Sequence, residues 1–597
     1  MALDQVDRPC RRSPCDRTGV IPQSEDSRCK SQAYHRRRGK KSPQRGRPTK
    51  RRMIDSSTAS GSVRWEAASR IRESAIPCLS GLRPRLSRSF TMDHKPHARS
   101  HGYSTENANP TRSNLQKPGR FGLLFPELAA VPWTTGDPVQ DDAILRELGA
   151  AMHVAERKDG TIAAGFTYFG QFVDHDMTFD PTSLGENAVD VDDLVNFRTP
   201  ALDLDSMYGS GPRDQPYLYQ RGTTTASALM LVGPVQGVPP AAPGGGDAQV
   251  QAMDGQLYDL PRMADGLSEK TAVLGDKRND ENLIVAQLHR TMLHFHNAVS
   301  LKFPELSFAD VRKVVTHHYQ QIVLHEYLPA VAGPLNVENA LKELKHYLIG
   351  PGYLASSPYM PLEFAGAAYR FGHSMVRPAY NFNKVFNFAA GPQLADFRLA
   401  FTFTGDGGFL GGTRYPTNWL LDWRQMFDGL GAPAQRAFAI DAALTDRLRI
   451  GNSDDSPFLA QLNLVRGAKH YKLPSGQAVA ARMGIAPLTG EQLITGTAGE
   501  VVMKHQLEHQ TPLWFYILKE AEVLEGGKHL GPIGGTIVAE VIVGLIKDDP
   551  ESVLNAGTPR ALPMAGTHFT MTDLFNFVES MKGQGNIPAA GVINPLG

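Results

Sequence analysis

Apolar side chains recur at helical spacing through most of the chain after Phe121. Between positions 284 and 301 they return every three or four residues, the spacing that one face of an α-helix produces. The apolar positions of that stretch are Ile284, Leu288, Met292, Phe295 and Val299. A similar pattern over 310–327 predicts a second helix that ends before Pro329. Few windows alternate apolar and polar residues as strands do, so we predict a mainly α-helical protein.

The longest apolar run, 533–546, is interrupted by Glu540. It is shorter than the roughly 20 residues that a membrane-spanning helix needs, so it predicts a buried helix. Stretches 239–246 and 429–433 are rich in Gly and Pro and predict surface loops. The first thirty residues lack the apolar core of a secretory signal. We therefore expect a soluble protein with no transmembrane segment, either cytoplasmic or exported by a non-standard route.

The beginning of the chain has a different composition. Its first 91 residues carry 22 Lys and Arg against 8 Asp and Glu, although the whole chain has a net charge of only +1. Such a segment buries too little apolar surface to offset its ordering entropy. We predict a disordered basic leader over 1–115 and one large domain over 116–597. The leader is either a targeting or polyanion-binding arm, or a non-functional segment before a true start at Met92, which we favour.

The remainder of the chain is acidic and gives no indication of nucleic-acid binding. All four cysteines (Cys10, Cys15, Cys29 and Cys78) lie in the leader. The predicted domain therefore has no disulfide and no thiolate to serve as metal ligand or nucleophile. A metal bound there must use His, Asp, Glu or backbone oxygen.

A polar cluster stands out near the start of the domain. On a helix, Gln171, Asp174 and His175 would share one face. Most runs of this kind are solvated surface. The flanking positions here are apolar and largely aromatic: Phe166, Tyr168, Phe169, Phe172 and Val173. Polar groups among so many apolar ones need partners, which favours a functional site.

The run QFVDHD at 171–176 resembles the distal-histidine motif of the animal-type haem peroxidases. Further segments follow in the order of that family: TPALDLDSMYGS at 199–210, GDKRNDE at 275–281, YRFGH at 369–373, LNLVR at 462–466 and LGP at 530–532. The resemblance extends from about Phe121 to the C-terminus and leaves out the leader. It implies the large helical fold of this superfamily, in a form without cysteines in the domain, and a haem b cofactor.

Splitting hydrogen peroxide requires a base that takes a proton from one oxygen and returns it to the other. An imidazole, with an ordinary pKa of about 6.5, suits both halves of that transfer. His175 resembles this residue, and Arg278 matches the arginine that stabilises the developing negative charge. Gln171 completes the catalytic set. The resemblance implies a peroxidase that oxidises a halide, thiocyanate or a phenol through a ferryl intermediate, with a role in oxidative stress.

The resemblance also assigns the residues that hold the haem. His373 matches the iron ligand, and Asn463 matches the residue that accepts a hydrogen bond from its other ring nitrogen. Arg370 and Arg466 resemble the arginines that pair with the haem propionates.

Asp174 and Glu281 resemble the two carboxylates that this family esterifies to the haem methyl groups. Glu281 also lies one helical turn beyond Arg278 and is its expected partner. Asn282 departs from the subfamily that adds a methionine sulfonium link at this position. We therefore expect ester links without the sulfonium.

A calcium site is the last implied feature. Asp176, Thr199, Asp203 and Asp205 offer carboxylate and hydroxyl oxygens, and the position of Ala201 supplies a backbone oxygen in the family. Hard oxygen ligands, six to eight in number, are what Ca²⁺ prefers. Such a site would fix the helix that presents His175.

Two alternatives remain open. Fatty-acid dioxygenases of the same superfamily use a tyrosyl radical three residues before the proximal histidine; here Arg370 occupies that position and Tyr369 lies one residue further away. The other alternative is a non-catalytic adhesion or scaffold protein. The presence of His175, Arg278 and His373 argues against it.

Overall fold

The computed structural model describes residues 119–597 except for 130, 181–193, 221, 223–227, 264–269, 350–356, 406–407 and 450–455. The predicted leader therefore lies outside the described residues, and its boundary stays a prediction. The described part is mainly α-helical with a few short strands, which confirms the predicted fold class.

Seventeen α-helices are described: α1 (Pro138–Ala151), α2 (Gly165–Met177), α3 (Asp205–Tyr208), α4 (Ala248–Ala252), α5 (Leu283–Lys302), α6 (Phe308–Ile322), α7 (Leu328–Ala332), α8 (Pro334–Lys342), α9 (Leu362–Ala365), α10 (Leu399–Thr402), α11 (Leu459–Val465), α12 (Gly476–Met483), α13 (Gly490–Ile494), α14 (Gly499–Lys504), α15 (Leu513–Glu525), α16 (Pro532–Asp548) and α17 (Met571–Ser580). Two 3₁₀ segments, Lys277–Asp280 and Ala368–Met375, carry residues of the site described below.

The strands are β1 (Gly119–Gly122), β2 (His153–Val154), β3 (Asp159–Ala163), β4 (Val195–Asn196), β5 (Met360–Pro361), β6 (Arg436–Phe438) and β7 (Leu444–Thr445). β1 pairs antiparallel with β4 and parallel with β5, with Gly119 opposite Asn196 and Phe121 opposite Met360. β2 pairs parallel with β7, and β3 pairs antiparallel with β6. These small sheets join distant parts of the chain at the edges of the helical core.

Helix α5 lies at the centre of the core. Every residue from Leu283 to Ser300 is buried, because α2, α6 and α17 all pack against it. Its first turn is capped by Asn282, whose side-chain oxygen accepts a 3.0 Å hydrogen bond from the amide of Val285. The helix predicted over 284–301 is therefore confirmed.

The second predicted helix continues further than expected. Helix α6 ends at Ile322, a π-helical segment follows over Val323–Tyr327, and α7 runs on through Pro329 to Ala332. Proline is tolerated there because it stands in the first turn of α7, directly after the wider π turn. The helical chain stops instead at Gly333, where φ is 86°.

The apolar run 533–546 forms the buried helix α16, as predicted. Its one interruption, Glu540, accepts hydrogen bonds from three consecutive backbone amides, at 345–347, over 2.6–3.1 Å. The charge therefore has partners inside the core. Of the helices described, none combines the length and apolar character needed to cross a membrane.

Candidate haem site

Helix α2 presents Gln171, Asp174 and His175 along one side, while Phe172 and Val173 are buried on the other. The imidazole of His175 is only 4% exposed. Its Nδ1 lies 2.8 Å from Oδ1 of Asn279, and its Nε2 lies 3.8 Å from a carboxylate oxygen of Glu281. The predicted polar face is thus a buried site.

Burial lowers the pKa of His175 to about 3, and the nearby guanidinium of Arg278 adds to that effect. The imidazole is therefore neutral at ordinary pH. The amide oxygen of Asn279 accepts a hydrogen bond from Nδ1 of His175. The proton of the neutral ring is therefore on Nδ1, and Nε2 carries the lone pair. The geometry gives a proton acceptor at Nε2.

The segment with Arg278 is a short 3₁₀ helix whose first turn is capped by Asp276. The Arg278 guanidinium donates to Asp276 over 2.8 Å and to the backbone carbonyl of His175 over 3.2 Å. It lies 4.0 Å from Asp174. The expected pairing of Arg278 with Glu281 is therefore wrong: Asp276 is two residues away and fully buried, so it takes the guanidinium instead.

Glu281 instead contacts α2, where the amide nitrogen of Gln171 donates to its carboxylate. The amide oxygen of Gln171 accepts a 3.1 Å hydrogen bond from Asn282. Both bonds together fix the orientation of the Gln171 amide. Asn282 therefore contributes a hydrogen bond at the position where one subfamily has methionine.

Asp174 accepts a 2.9 Å hydrogen bond from the hydroxyl of Thr178, one turn further along α2. Burial raises the pKa of Asp174, although Arg278 opposes the shift. Its side chain still has 35% of its surface accessible, and that of Glu281 has 38%. Both carboxylates therefore keep part of their surface accessible close to His175 and Gln171.

The 3₁₀ segment Ala368–Met375 carries the second half of the site. Asn463 from α11 places its amide nitrogen 2.8 Å from Nδ1 of His373, and its amide oxygen accepts a 3.0 Å hydrogen bond from Arg370. The contact between Asn463 and His373 is as predicted, but the amide has the opposite orientation. A guanidinium has only donors, so the amide oxygen faces Arg370 and the nitrogen donates to Nδ1 of His373. In this orientation the proton of the neutral His373 ring is on Nε2, and Nε2 becomes a bare metal ligand when the Asn463 amide turns its oxygen to Nδ1.

Nε2 of His373 has no hydrogen-bond partner among the described residues. Burial lowers the pKa of His373 to about 3, so the ring is neutral, as a metal ligand must be. A Cβ added to the neighbouring Gly372 would meet no atom within 4 Å. Open space therefore lies beside the backbone directly before His373.

The two halves of the site are in contact. The hydroxyl of Tyr369 donates to the carbonyl of Gly170 over 3.3 Å, and Asp174 and Arg370 influence each other's pKa. The structure thus brings the YRFGH segment against helix α2, 198 residues after His175.

Burial lowers the pKa of Arg370, and the nearby guanidinium of Arg466 adds to that effect while Asp174 and Asp180 oppose it. Across the described residues, no carboxylate forms an ion pair within 4.0 Å of either guanidinium. Two neighbouring cations are costly to bury unless an anion joins them. The site therefore fits a dianionic group such as the two propionates of a haem.

Three buried carboxylates from different segments meet beside α2. Asp176, Asp203 and Asp205 offer oxygen atoms that all lie within 4.8 Å of one another. The hydroxyl of Thr199 donates to Asp203 over 3.0 Å, and Asp205 pairs with Arg198 at 3.2 Å. Burial and the two other carboxylates raise the pKa of Asp176 well above its usual range. Three buried carboxylates this close together repel one another when ionised, so the cluster suits a cation.

The carbonyl of Ala201, the remaining predicted ligand, belongs to the same turn, and Ala201 itself is buried. Predicted ligands therefore come together from α2 and from the turn over 199–205.

Two residues near the site have no role that the sequence motifs indicate. Asn279 lies within the GDKRNDE segment, and His289 lies in the middle of a helix with other histidines. Nδ2 of Asn279 lies 2.9 Å from Nδ1 of His289. The only available signal was the position of Asn279 directly after Arg278. Nothing in the helical pattern of α5 distinguishes His289 from His294 and His296.

Comparisons with known proteins agree with this geometry. Residues 186–450 match the family model described as animal haem peroxidase. A peroxidase-like protein of Margaritifera margaritifera is 31% identical over 122 residues, which are 18% of this chain and 14% of that protein. Thyroid peroxidase of Rattus norvegicus is 24% identical over 382 residues, covering 60% and 38%. Peroxidasin of Drosophila melanogaster is 25% identical over 395 residues, covering 60% and 23%.

The chain thus spans between 14% and 38% of the length of these three relatives. Among solved structures, peroxidase A of Dictyostelium discoideum superposes with a TM-score of 0.50 at 17% identity. That match covers 79% of this chain and 94% of the Dictyostelium chain, and it shows a shared fold. The family match, the relatives and the fold together lead to one conclusion: this chain contains an animal haem peroxidase domain, which implies a haem cofactor.

Proposed function

We propose that this protein is a haem peroxidase that reduces hydrogen peroxide and oxidises a small electron donor such as a halide, thiocyanate or a phenol. The observation that carries the proposal is a pair of buried neutral histidines, His175 on α2 with a bare Nε2 and His373 on the segment packed against it. A family member without chemistry, such as an adhesion protein, would need neither.

The chain has a partner for each part of a haem. With the Asn463 amide turned so that its oxygen accepts from Nδ1, Nε2 of His373 would bind the iron, and Arg370 and Arg466 would pair with the propionates. Asp174 and Glu281, whose side chains are partly accessible, would form the ester links to the ring methyl groups. Bound haem would supply the redox-active iron that accepts electrons from the donor and passes them to peroxide.

The remaining steps belong to side chains of this protein. His175 would accept a proton at Nε2 from one oxygen of hydrogen peroxide and return it to the other oxygen, which leaves as water. Arg278 would stabilise the negative charge that develops as the bond breaks. The Gln171 amide, held by Glu281 and Asn282, would orient peroxide or donor beside His175.

Calcium would occupy the cluster of Asp176, Asp203 and Asp205, with Thr199 and the carbonyl of Ala201 completing the ligand set. Asp176 directly follows His175 on α2. Binding a cation there would therefore hold the end of the helix that carries the catalytic base.

The second candidate, a fatty-acid dioxygenase, has one specific observation in its favour. Tyr369 is buried beside the site, and its hydroxyl lies 3.0 Å from that of Tyr327. Its position four residues before His373 disagrees with the spacing of three that the dioxygenases use. We therefore favour the peroxidase.

An absorption spectrum tests the proposal directly. The purified protein should show a Soret band, and addition of hydrogen peroxide should shift it and start oxidation of a phenolic dye. His175→Gln should slow the reaction with peroxide by roughly 10²–10⁴-fold, the range typical of a positioned general base. His509→Gln is a suitable control, because this side chain is 81% exposed. A haem-loaded protein that leaves peroxide unreacted would refute the peroxidase assignment.

A further inference from the structure

A chain of three buried side chains leads from His175 into the core. Nδ1 of His175 lies 2.8 Å from the amide oxygen of Asn279, and the amide nitrogen of Asn279 lies 2.9 Å from Nδ1 of His289. Asn279 and His289 have no exposed surface, and His175 has 4%. Each contact is within normal hydrogen-bond range.

The Asn279 amide has two orientations with opposite consequences. In the observed orientation its oxygen accepts from His175, so the proton of that ring is on Nδ1 and Nε2 is bare. Turned through 180°, the amide would donate to Nδ1 of His175. The proton of His175 would then have to sit on Nε2, where no base would remain.

We propose that His289 is a positioning residue that selects the productive orientation: its bare Nδ1 accepts the amide nitrogen of Asn279 and thereby keeps Nε2 of His175 free to accept a proton. This inference rests on the proposed function, because it assigns His175 as the base. It requires opposite tautomers in the two rings, with the proton on Nδ1 in His175 and on Nε2 in His289. Burial lowers the pKa of His289 to about 4, so its ring is neutral at pH 7, and the amide nitrogen of Asn279 selects the tautomer with a bare Nδ1.

His289 differs from the two other histidines of α5 in what it contacts. Nε2 of His294 bonds the carbonyl of Leu257 at 3.1 Å, and Nε2 of His296 bonds that of Ala228 at 3.0 Å. Both rings therefore form hydrogen bonds that connect α5 to the loops of Leu257 and Ala228. Among the described residues, His289 has one hydrogen-bond partner, Asn279. Its ring therefore makes its polar contact with the candidate site and not with a loop.

Rigid elements hold both partners in place. Asn279 lies in the 3₁₀ segment capped by Asp276. The neighbouring carboxylate of Asp280 accepts two hydrogen bonds from the Arg262 guanidinium, of 2.7 and 2.9 Å. His289 lies two turns into α5, with the edge of its ring against Phe172 at 6.0 Å. The hydrogen bonds that set the amide orientation therefore involve the 3₁₀ segment and α5, while α2 contributes the ring contact of Phe172.

Nuclear magnetic resonance of the holoprotein, labelled with ¹⁵N in its histidine rings, tests the tautomers directly. In the diamagnetic ferrous carbon monoxide complex, protonated and bare ring nitrogens have well-separated shifts. His175→Gln and His289→Phe difference spectra assign the two rings. We expect His175 protonated on Nδ1 and His289 on Nε2. The reverse pattern in both rings would overturn the proposal.

A kinetic test uses cyanide as the probe. Hydrogen cyanide must lose its proton to a distal base as it binds ferric haem, so its association rate, read from the Soret band, reports on Nε2 of His175. His289→Phe keeps a ring of similar shape without the acceptor. We expect cyanide association to slow by about fivefold, because the loss of one hydrogen bond shifts the populations of the two Asn279 amide orientations by about that factor. His294→Phe, a matched change in the same helix, should leave the rate unchanged.

Two further variants separate positioning from general loss of structure. His289→Asn restores an acceptor near the place of Nδ1 and should recover most of the rate. Asn279→Asp offers oxygen on both sides, so in that background His289→Phe should have little further effect. A fivefold loss that persists in the Asn279→Asp background would mean that His289 acts by packing alone, and the proposal would be wrong.

Failure of the proposed function would look different. It would appear in the wild-type protein, as an absent Soret band or no reaction with peroxide, before any variant is made. The tautomers of His175 and His289 can be read from the labelled protein even then, so the resonance experiment still decides the positioning role.

Discussion

The hydroxyl of Tyr369 donates a 3.3 Å hydrogen bond to the backbone carbonyl of Gly170, which joins the segment of His373 to the helix of His175. Tyr327 in turn places its hydroxyl 3.0 Å from that of Tyr369. Two motifs that lie far apart in the sequence are thus held together by a buried pair of tyrosines. This contact has consequences for both stability and reaction type.

Tyr369→Phe should lower the free energy of unfolding by about 1–3 kcal/mol, because the buried Tyr327 hydroxyl loses its partner. Denaturant unfolding measures this loss. If the protein is a peroxidase, dye oxidation should persist in the variant, and the wild type should consume little oxygen when it is offered a polyunsaturated fatty acid. Tyr327→Phe is the matched control, since it breaks the same bond and leaves Tyr369. Rapid oxygen uptake that disappears only in Tyr369→Phe would favour the dioxygenase.

His373→Ala should abolish or scramble haem ligation, because no thiolate exists in residues 119–597 to replace the imidazole. The Soret band and the haem content per chain measure the effect. His509→Ala, at an exposed position, should leave both unchanged. An unaltered Soret band in His373→Ala would identify another histidine as the ligand.

Arg466→Gln should have opposite effects on the two forms of the protein. Without haem, removal of one of two mutually repelling guanidinium groups should raise the melting temperature slightly. With haem, loss of a propionate partner should weaken cofactor binding by about tenfold or more, the equivalent of one charge-assisted hydrogen bond. Haem titration and thermal unfolding measure the two effects. A fall in both quantities would indicate that Arg466 is structural.

Calcium removal should lower stability and activity together. A ligand present at 100 times its Kd stabilises the folded state by about 2.7 kcal/mol, and chelation removes that contribution. Asp176→Ala should imitate the chelator and make the protein insensitive to it, whereas Asp214→Ala at an exposed position nearby should not. Metal analysis of a carefully dialysed sample that finds no calcium would contradict the assignment.

Covalent attachment of haem can be tested by extraction. After treatment with peroxide, acidic organic solvent should leave haem on the wild-type protein, and mass spectrometry should find it on peptides that contain Asp174 or Glu281. Asp174→Ala should release one attachment and Glu281→Ala the other, with His175 and Arg278 still able to cleave peroxide. If all haem is extracted from the peroxide-treated wild-type protein, Asp174 and Glu281 form hydrogen bonds only and no ester links.

The sequence by itself determined the helical elements and the members of the site. Helical periodicity located α5, and a nearly continuous apolar run located α16, because a helix buried on all sides can be apolar at almost every position. The motifs named His175, Arg278, His373 and Asn463 before any contact was known. Periodicity did not predict that the helical chain continues through Pro329, because a π-helical turn has no sequence pattern of its own.

Only the tertiary structure decided which groups are partners. Arg278 pairs with Asp276 instead of Glu281, and the Asn463 amide turns its oxygen to Arg370, because each depends on which donors and acceptors meet in space. The contact of Asn279 with His289 arises for the same reason: a 3₁₀ segment and a central helix place two ordinary core residues within 2.9 Å. The direction of a hydrogen bond depends on which donors and acceptors are adjacent in space, and the spacing of residues along the chain does not predict this.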